Sequence, residues 1–277
     1  MDDEFLSQLI DEAGLDWEKQ AIIALYQSLK ERNIISDSSQ IKLTSSSGSS
    51  VVILLVDDHH DRVYQYYHCL ETFNNITELT RRAQTQSQQS LDLIVSGNHF
   101  KINYNFDHYR VRALDYWPEF RTIVWEKVRP ITQLPSPFIY KYMDQLIWDI
   151  LKSLNGFHSM GVLHGDCCLD NIGIKEGRFV LYDYDLSQTD VDVDLDLKRD
   201  YQIFSRSCYN FLEDKGFIQK LPISNFTCPQ DFLMALKNQY KFHVIDIISK
   251  LEMETSFLRR IQDSIPNSTW ILSPHCK

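Results

Sequence analysis

Apolar positions near the start of the chain recur every three or four residues. Over residues 2–33 they include Phe5, Ala21 and Leu25, which is the spacing of one or two amphipathic helices. Gly14 interrupts the pattern. Two interpretations are open, since the helices could pack on the body of the protein or dock a partner.

From Gln40 onward the pattern becomes that of strands. Apolar runs at 41–43, 51–56 and 63–67 predict a β-hairpin followed by a third strand. The turn between the first two runs is rich in serine and contains Gly48.

A polar helix is expected next, because Leu70, Phe73 and Ile76 mark one helical face. The Gln/Ser stretch at 84–90 predicts an exposed or mobile segment. Further strands are expected at 100–104, 109–114 and 122–125.

A long helix is predicted after residue 135. Ser136 offers a capping hydroxyl and Pro137 suits the first turn. One face of this helix is apolar at core spacing, through Tyr142, Leu146, Ile150, Leu154 and Phe157. An apolar helix is also expected up to Leu212, and the remaining segment predicts helices at 232–236 and 242–258.

The composition is that of an ordinary globular protein, with 43% hydrophobic and 24% charged residues. The formal net charge of -10 argues against nucleic acid and anionic membrane surfaces as partners. The six cysteines form no C-x-x-C pair, which favours free thiols in a reducing compartment. The acidic start of the chain and the lack of a long apolar run predict an intracellular protein, cytoplasmic or nuclear.

The most distinctive chemistry lies between residues 161 and 187. His164-Gly165-Asp166 is followed by Asn171, and an apolar strand then leads to Asp183. Phosphoryl transfer needs a divalent metal on the nucleotide phosphates and an acid that orients the incoming hydroxyl. Magnesium prefers hard oxygen ligands, so Asn171 and Asp183 would suit it. Asp166 would accept the hydrogen bond of the incoming hydroxyl.

These residues resemble the catalytic loop and the metal-binding loop of the protein-kinase-like superfamily. The pattern His-x-Asp-x-x-x-x-Asn is matched by His164, Asp166 and Asn171, and Asp-Phe-Gly is matched by Asp183-Tyr184-Asp185. The resemblance implies an α+β, two-lobed fold, with a small, mainly antiparallel β amino-terminal lobe and a larger helical carboxy-terminal lobe. It places a helical extension at 1–35, the first lobe at 36–130 and the second at 131–277.

The resemblance also implies roles for individual residues. ATP and Mg are the expected cofactors, with Asp166 catalytic and with Asn171 and Asp183 as metal ligands. The backbone near Glu126 and Val128 would bind the adenine, and Gly48 would lie over the phosphates. His164 would hold the loop backbone rather than act as an acid or base, and Asp200 would brace the same loop.

Three departures from the family pattern bear on catalysis. Gly48 stands where three glycines are usual, and Tyr64-Gln65-Tyr66 stands where a phosphate-binding lysine is expected. Lys42 or Lys101 could replace that lysine, although both suit the surface, and Glu71 or Glu78 would be its acidic partner. The segment from Asp183 to Asp200 is short and acidic and lacks Ala-Pro-Glu, so it leaves little platform for a peptide.

Two functions remain open. The first is a divergent phosphotransferase that moves the γ-phosphate of ATP to a hydroxyl of a protein or a small molecule. The second is a catalytically weak or inactive pseudokinase that serves as a binding or scaffolding module. The partners are accordingly a nucleotide and either a hydroxyl-bearing substrate or a protein.

Overall fold

The computed structural model describes residues 6–7, 10–11, 13, 15–35, 41–45, 51–56, 62–95, 98–191 and 197–214. Gly48 and the helices predicted at 232–236 and 242–258 lie outside the described residues. At 41–45 and 51–56 the backbone alone is described, so the alternative for Lys42 stays a prediction.

The described chain alternates between helices and strands. The helices are α1 (Asp16–Glu31), α2 (Leu70–Thr85), α3 (Ser136–Lys141), α4 (Met143–Ser159) and α5 (Leu197–Asp214). The strands are β1 (Ile41–Ser45), β2 (Val51–Val56), β3 (Arg62–Tyr67), β4 (Gln88–Val95), β5 (Asn98–Asn105), β6 (Ala113–Trp117), β7 (Thr122–Glu126), β8 (Arg129–Pro130), β9 (Val162–Leu163), β10 (Ile172–Lys175), β11 (Arg178–Leu181) and β12 (Gln188–Thr189).

All paired strands run antiparallel. The largest sheet has five strands in the order β1-β2-β3-β7-β6, and a three-stranded sheet has the order β11-β10-β8. Two further pairs are β4 with β5 and β12 with β9. The described chain thus combines helices with antiparallel sheets, which is compatible with the expected α+β class.

Both faces of the five-stranded sheet are covered. Tyr64 and Tyr66 of β3 share a hydrophobic cluster with Leu25 and Leu29 of α1. Successive strand residues face opposite sides, and Tyr67 accordingly belongs to the main core on the other face. The interpretation that the amino-terminal helix packs on the protein is therefore confirmed for α1.

The main core is centred on α4. Its predicted apolar face is buried throughout, with Leu146, Ile150 and Leu154 fully inaccessible to solvent. The predicted long helix is in fact two helices, α3 and α4, which meet at Tyr142. The cap prediction was wrong, because α3 begins after Pro135 and no side chain caps it.

Two predictions are refined by the structure. The stretch 84–90 is largely exposed, as expected, but most of it is regular, because α2 runs to Thr85 and β4 begins at Gln88 and pairs along its whole length with β5. This pairing satisfies the backbone of a polar segment, and Leu91 is buried beneath it. The strand expected at 109–114 begins instead at Ala113, after a short 3-10 helix at Phe106–His108.

Within the part of the chain that the structure describes, no helix is both long enough and apolar enough to span a bilayer.

The packing of α1 gives a test of the fold. We expect Leu25→Ala to lower the free energy of unfolding by about 2–5 kcal/mol, because Leu25 is fully buried between α1 and the sheet. Leu15→Ala is the matched control, since Leu15 is 53% exposed and its truncation should change stability by about 0.5 kcal/mol or less. Urea denaturation measures both, and equal effects would show that α1 does not pack as described.

Candidate active site

Asp200 holds the loop that carries the predicted site residues. It lies at the start of α5 and is completely buried. Its Oδ2 accepts a hydrogen bond from the backbone N–H of His164 at 2.8 Å, and its Oδ1 accepts one from Gly165 at 2.9 Å. The thiol of Cys167 donates to the Asp200 carbonyl at 2.8 Å. Three positions of the loop region, His164, Gly165 and Cys167, are thus tied to one residue of α5.

A histidine completes the environment of Asp200. His158 Nε2 lies 3.0 Å from Asp200 Oδ2, and its Nδ1 lies 3.1 Å from the Tyr201 hydroxyl. Burial alone would raise the pKa of Asp200, but the hydrogen bond and charge of His158 and the His164 N–H lower it below its usual value. Asp200 is therefore an ionised buried carboxylate, stabilised by donors from two elements.

His164 is also fully buried. Burial lowers its pKa, against the opposing charges of Asp200, Asp183 and Asp166, so the ring is neutral. Its Nδ1 accepts the N–H of Asp166 at 3.3 Å. A buried neutral imidazole that bonds its own loop backbone has the geometry of a structural histidine.

Position 165 requires glycine. Its φ is +85°, in the left-handed region, and a Cβ there would collide with the Leu186 carbonyl oxygen. The Ser187 hydroxyl donates to the His164 carbonyl at 3.0 Å. The loop at 164–166 and the segment after Asp185 therefore lie directly against each other.

Asn171 and Asp166 are joined through the amide of the asparagine. Asn171 Nδ2 donates to the Asp166 carbonyl at 2.9 Å and to its Oδ2 at 2.8 Å. Because two acceptors occupy the NH2 group, the Oδ1 of Asn171 is the atom through which it would bind a cation. Asn171 is 8% exposed and Asp166 is half-buried, so the pair lies at the boundary of protein and solvent.

The β10–β11 hairpin brings Asp183 towards this pair. Ile172 pairs with Leu181 at the open end of the hairpin, and the Tyr182 N–H donates to the Asn171 carbonyl at 3.0 Å. Asp183 follows immediately, with a φ of +65° that turns the chain away from the strand. The predicted metal ligands thus lie just beyond the last pair of one hairpin, on its two strands.

The carboxylates of this turn perturb one another. The Asp183 residue is partly open to solvent, but nearby protein atoms desolvate its carboxylate and so raise its pKa. The charge of Asp166 raises this pKa further. Burial also raises the pKa of Asp185, and the charge of Asp183 raises it further. A divalent cation would relieve this repulsion.

Tyr184, between these two acids, fixes the turn to the core. It is 2% exposed, its hydroxyl accepts the Val111 N–H at 3.1 Å and it donates to the Leu181 carbonyl at 2.9 Å. Its ring lies 5.3 Å from that of Trp125 in β7 and 5.5 Å from that of Phe157 in α4. The tyrosine therefore connects the turn with the sheet and with α4.

The donor set fits magnesium in a particular way. Among the described residues, no group of three or more His, Cys, Asp or Glu side chains is arranged to hold a metal ion. Magnesium bound mainly by nucleotide phosphates and water needs only one or two protein oxygens, and Asn171 and Asp183 would supply two. The site suits a metal that arrives with a nucleotide better than a metal held by protein alone.

The triplet at 64–66 presents one polar side chain on the face away from α1. Gln65 lies between Tyr64 and Tyr66 in β3 and faces away from α1. Its Nε2 donates a hydrogen bond to Asp185 Oδ1 at 3.2 Å. Glu78 of α2 pairs instead with Arg81 and Arg82 of its own helix. Lys101 is exposed on β5. A neutral amide therefore lies where the resemblance requires a cation.

The segment predicted to bind adenine is strongly held. The Glu126 carboxylate pairs with Lys175 Nζ at 2.7 Å and with Arg112 at 3.1 Å, and its backbone N–H donates to the Arg112 carbonyl. Val128 packs against Gly173 of β10, where any Cβ would collide with it. Since the Glu126 N–H is already used, an adenine contact would have to come from other backbone groups of this segment.

Sequence reasoning gave no role to Gln65, Asp185 or His158. The alternation Tyr64-Gln65-Tyr66 was a usable signal for the first, because the outer two residues of such a triplet share a face and the middle one does not. No local pattern indicates that His158 would reach Asp200, which lies 42 residues further along the chain.

No family model matches this chain, and the comparison with curated proteins gave no match. Function must therefore be inferred from the residues and their geometry.

The brace at Asp200 can be tested by removing its charge. We expect Asp200→Asn to lower the free energy of unfolding by about 2–5 kcal/mol, because one of its buried backbone donors loses its acceptor. Asp190→Asn is the control, since Asp190 is exposed and its ion pair with Arg82 should be worth about 1 kcal/mol or less.

The difference in unfolding free energy between the native protein and Asp200→Asn should depend on pH. The lowered pKa of Asp200 means that its stabilisation is complete above about pH 4 and is lost as the pH falls through the folded-state pKa. The stability gap between the native protein and Asp200→Asn should therefore narrow between pH 5 and pH 3. A constant gap in urea denaturation over that range would contradict the assignment.

Proposed function

We propose that this chain is a divergent kinase-like phosphotransferase that moves the γ-phosphate of ATP to a hydroxyl acceptor. The observation that carries the proposal is the arrangement of Asn171, Asp166 and Asp183. The asparagine amide is bonded to Asp166, and the hairpin delivers Asp183 beside them. The antiparallel five-stranded sheet followed by a helix-rich part also supports the two-lobed fold.

Each residue has a defined task in this proposal. Asp166 orients the acceptor hydroxyl and receives its hydrogen bond, with its own carboxylate held by Asn171. Asn171, through Oδ1, and Asp183 provide the metal ligands. Bound magnesium would neutralise charge that develops on the transferred phosphoryl group.

The acceptor is a small molecule or an exposed protein hydroxyl. Residues 183–191 lie close to the loop, since β12 pairs with β9 and Ser187 bonds to His164. Such a closely attached segment offers no long surface on which an extended peptide could pair.

A second function, the pseudokinase, is favoured by one specific observation. Gln65 occupies the inward position of β3 and carries no charge, and Glu78 is paired within its own helix. Without the lysine, the ATP phosphates lose the contact that holds them in register. In this alternative the fold binds a nucleotide or a protein with little or no turnover.

The first experiment measures nucleotide binding. We expect ATP with magnesium to raise the melting temperature of the native protein by several degrees at saturating ligand, since a ligand at 100 times its Kd stabilises by about 2.7 kcal/mol. Asp183→Ala should abolish the shift. Asp170→Ala is the matched control, because Asp170 is an exposed aspartate of the same loop, and it should keep the shift.

The second experiment separates the two functions. Asp166→Asn should keep the thermal shift with ATP and magnesium but lower turnover by about 10²–10⁴-fold, since general base catalysis contributes that much. Release of ADP is measured with a panel of hydroxyl compounds and proteins. Native turnover equal to that of Asp166→Asn, with binding intact, would favour the pseudokinase. No thermal shift at millimolar ATP would contradict the phosphotransferase itself.

A further inference from the structure

The contact between Gln65 and Asp185 joins two distant parts of the chain. The two residues are 120 positions apart, and the donor nitrogen lies 3.2 Å from the carboxylate oxygen. Gln65 is 7% exposed and Asp185 is half-buried, so the bond is partly shielded from water on the side of its donor. It connects the inner face of the five-stranded sheet to the turn that carries Asp183.

The orientation of Gln65 is imposed by its neighbours. Tyr64 and Tyr66 are buried against α1 on the opposite face of the sheet. Gln65 itself pairs with Ile53 of β2 and with Ile123 of β7, so β3 is enclosed by strands on both sides. A change of direction would expose two buried tyrosines, and the amide is therefore fixed towards the turn.

The turn around Asp185 is also attached through its neighbours Tyr184 and Ser187. Tyr184 fixes its middle to the core, whereas Asp183 has a left-handed φ of +65° and Leu186 is 60% exposed. Among the described residues, neither Asp183 nor Asp185 forms an ion pair with a lysine or an arginine. The amide of Gln65 is thus a neutral hydrogen-bond donor to the side chain of Asp185.

We propose that Gln65 is a positioning residue, which holds Asp185 and thereby sets the orientation of the Asp183 turn for binding a metal–nucleotide complex. The inference rests on the proposed function. A neutral donor fixes the direction of the Asp185 carboxyl group without placing a positive charge beside Asp183, whereas a lysine would fix it and also repel an incoming cation. The sheet therefore contributes geometry to the metal site, and the metal contributes the positive charge.

The test compares three variants in the full chain. Gln65→Met keeps an unbranched side chain of similar length but removes the donor, and Gln65→Lys restores a donor together with a charge. Gln202→Ala, at an exposed position of α5, is the control. The first readout is the magnesium concentration that gives half of the ATP-dependent thermal shift. The second is hydrogen exchange of the amides at 183–187 in the absence of nucleotide.

We expect Gln65→Met to require about fivefold more magnesium and to show faster exchange at 183–187, because the loss of one partly buried hydrogen bond is worth about 1 kcal/mol. Gln65→Lys should restore slow exchange, yet it should still need more magnesium than the native protein, because its charge opposes the cation. The control should match the native protein in both readouts.

The outcomes are distinct. A native magnesium requirement or native exchange in Gln65→Met would overturn the positioning role, and so would a magnesium requirement in Gln65→Lys equal to that of the native protein. If the native protein itself gives no shift with ATP and magnesium, the proposed function fails, and the role of Gln65 at a metal–nucleotide site fails with it. Faster exchange in Gln65→Met would then show a structural tether alone.

Discussion

The geometry of the candidate site depends on one buried carboxylate. Asp200 accepts hydrogen bonds from the adjacent N–H groups of His164 and Gly165 and from the ring of His158. An isolated buried carboxylate would be strongly unfavourable, and it is tolerated here because every donor around it is fixed by the fold. Two adjacent N–H groups that point at one carboxylate leave the backbone little freedom. As a result, α5 determines where Asp166 lies, although Asp200 acts through the backbone of the neighbouring residues His164 and Gly165.

A second constraint comes from the hairpin formed by β10 and β11. Ile172 pairs with Leu181 at the open end of this hairpin. Asn171 precedes the first strand and Asp183 follows the second, so both lie just beyond that last pair. Tyr184 then anchors the following turn in the core, against Trp125 and Phe157. The site is thus assembled from a hairpin and a braced loop, each held by the main core. Rigid support of this kind is what positional catalysis requires.

The predictable part of the structure is the part with local signals. The apolar face of α4, including Leu146, was evident from its spacing, and strands such as β3 were evident from their composition. The strand β4 was missed because its first three residues are polar and continue the Gln/Ser stretch, although Ser96-Gly97 after it is a recognisable turn signal. The contacts of Asp200 and Gln65 could not be predicted, because they join residues 33 or more positions apart whose approach depends on how β3, α4 and α5 pack.

The charge distribution decides how a nucleotide could enter this site. Asp166, Asp183 and Asp185 lie near one another, and Gln65 adds no positive charge. Two like charges about 6 Å apart repel by roughly 3 kcal/mol at an effective dielectric constant of 20, so free ATP, with several negative charges, would be rejected. When magnesium is already bound to the phosphates, the cation faces the aspartates, and the interaction becomes attractive. In the proposed phosphotransferase the metal complex would therefore be the species that binds, and the neutral Gln65 would make binding strictly dependent on the metal.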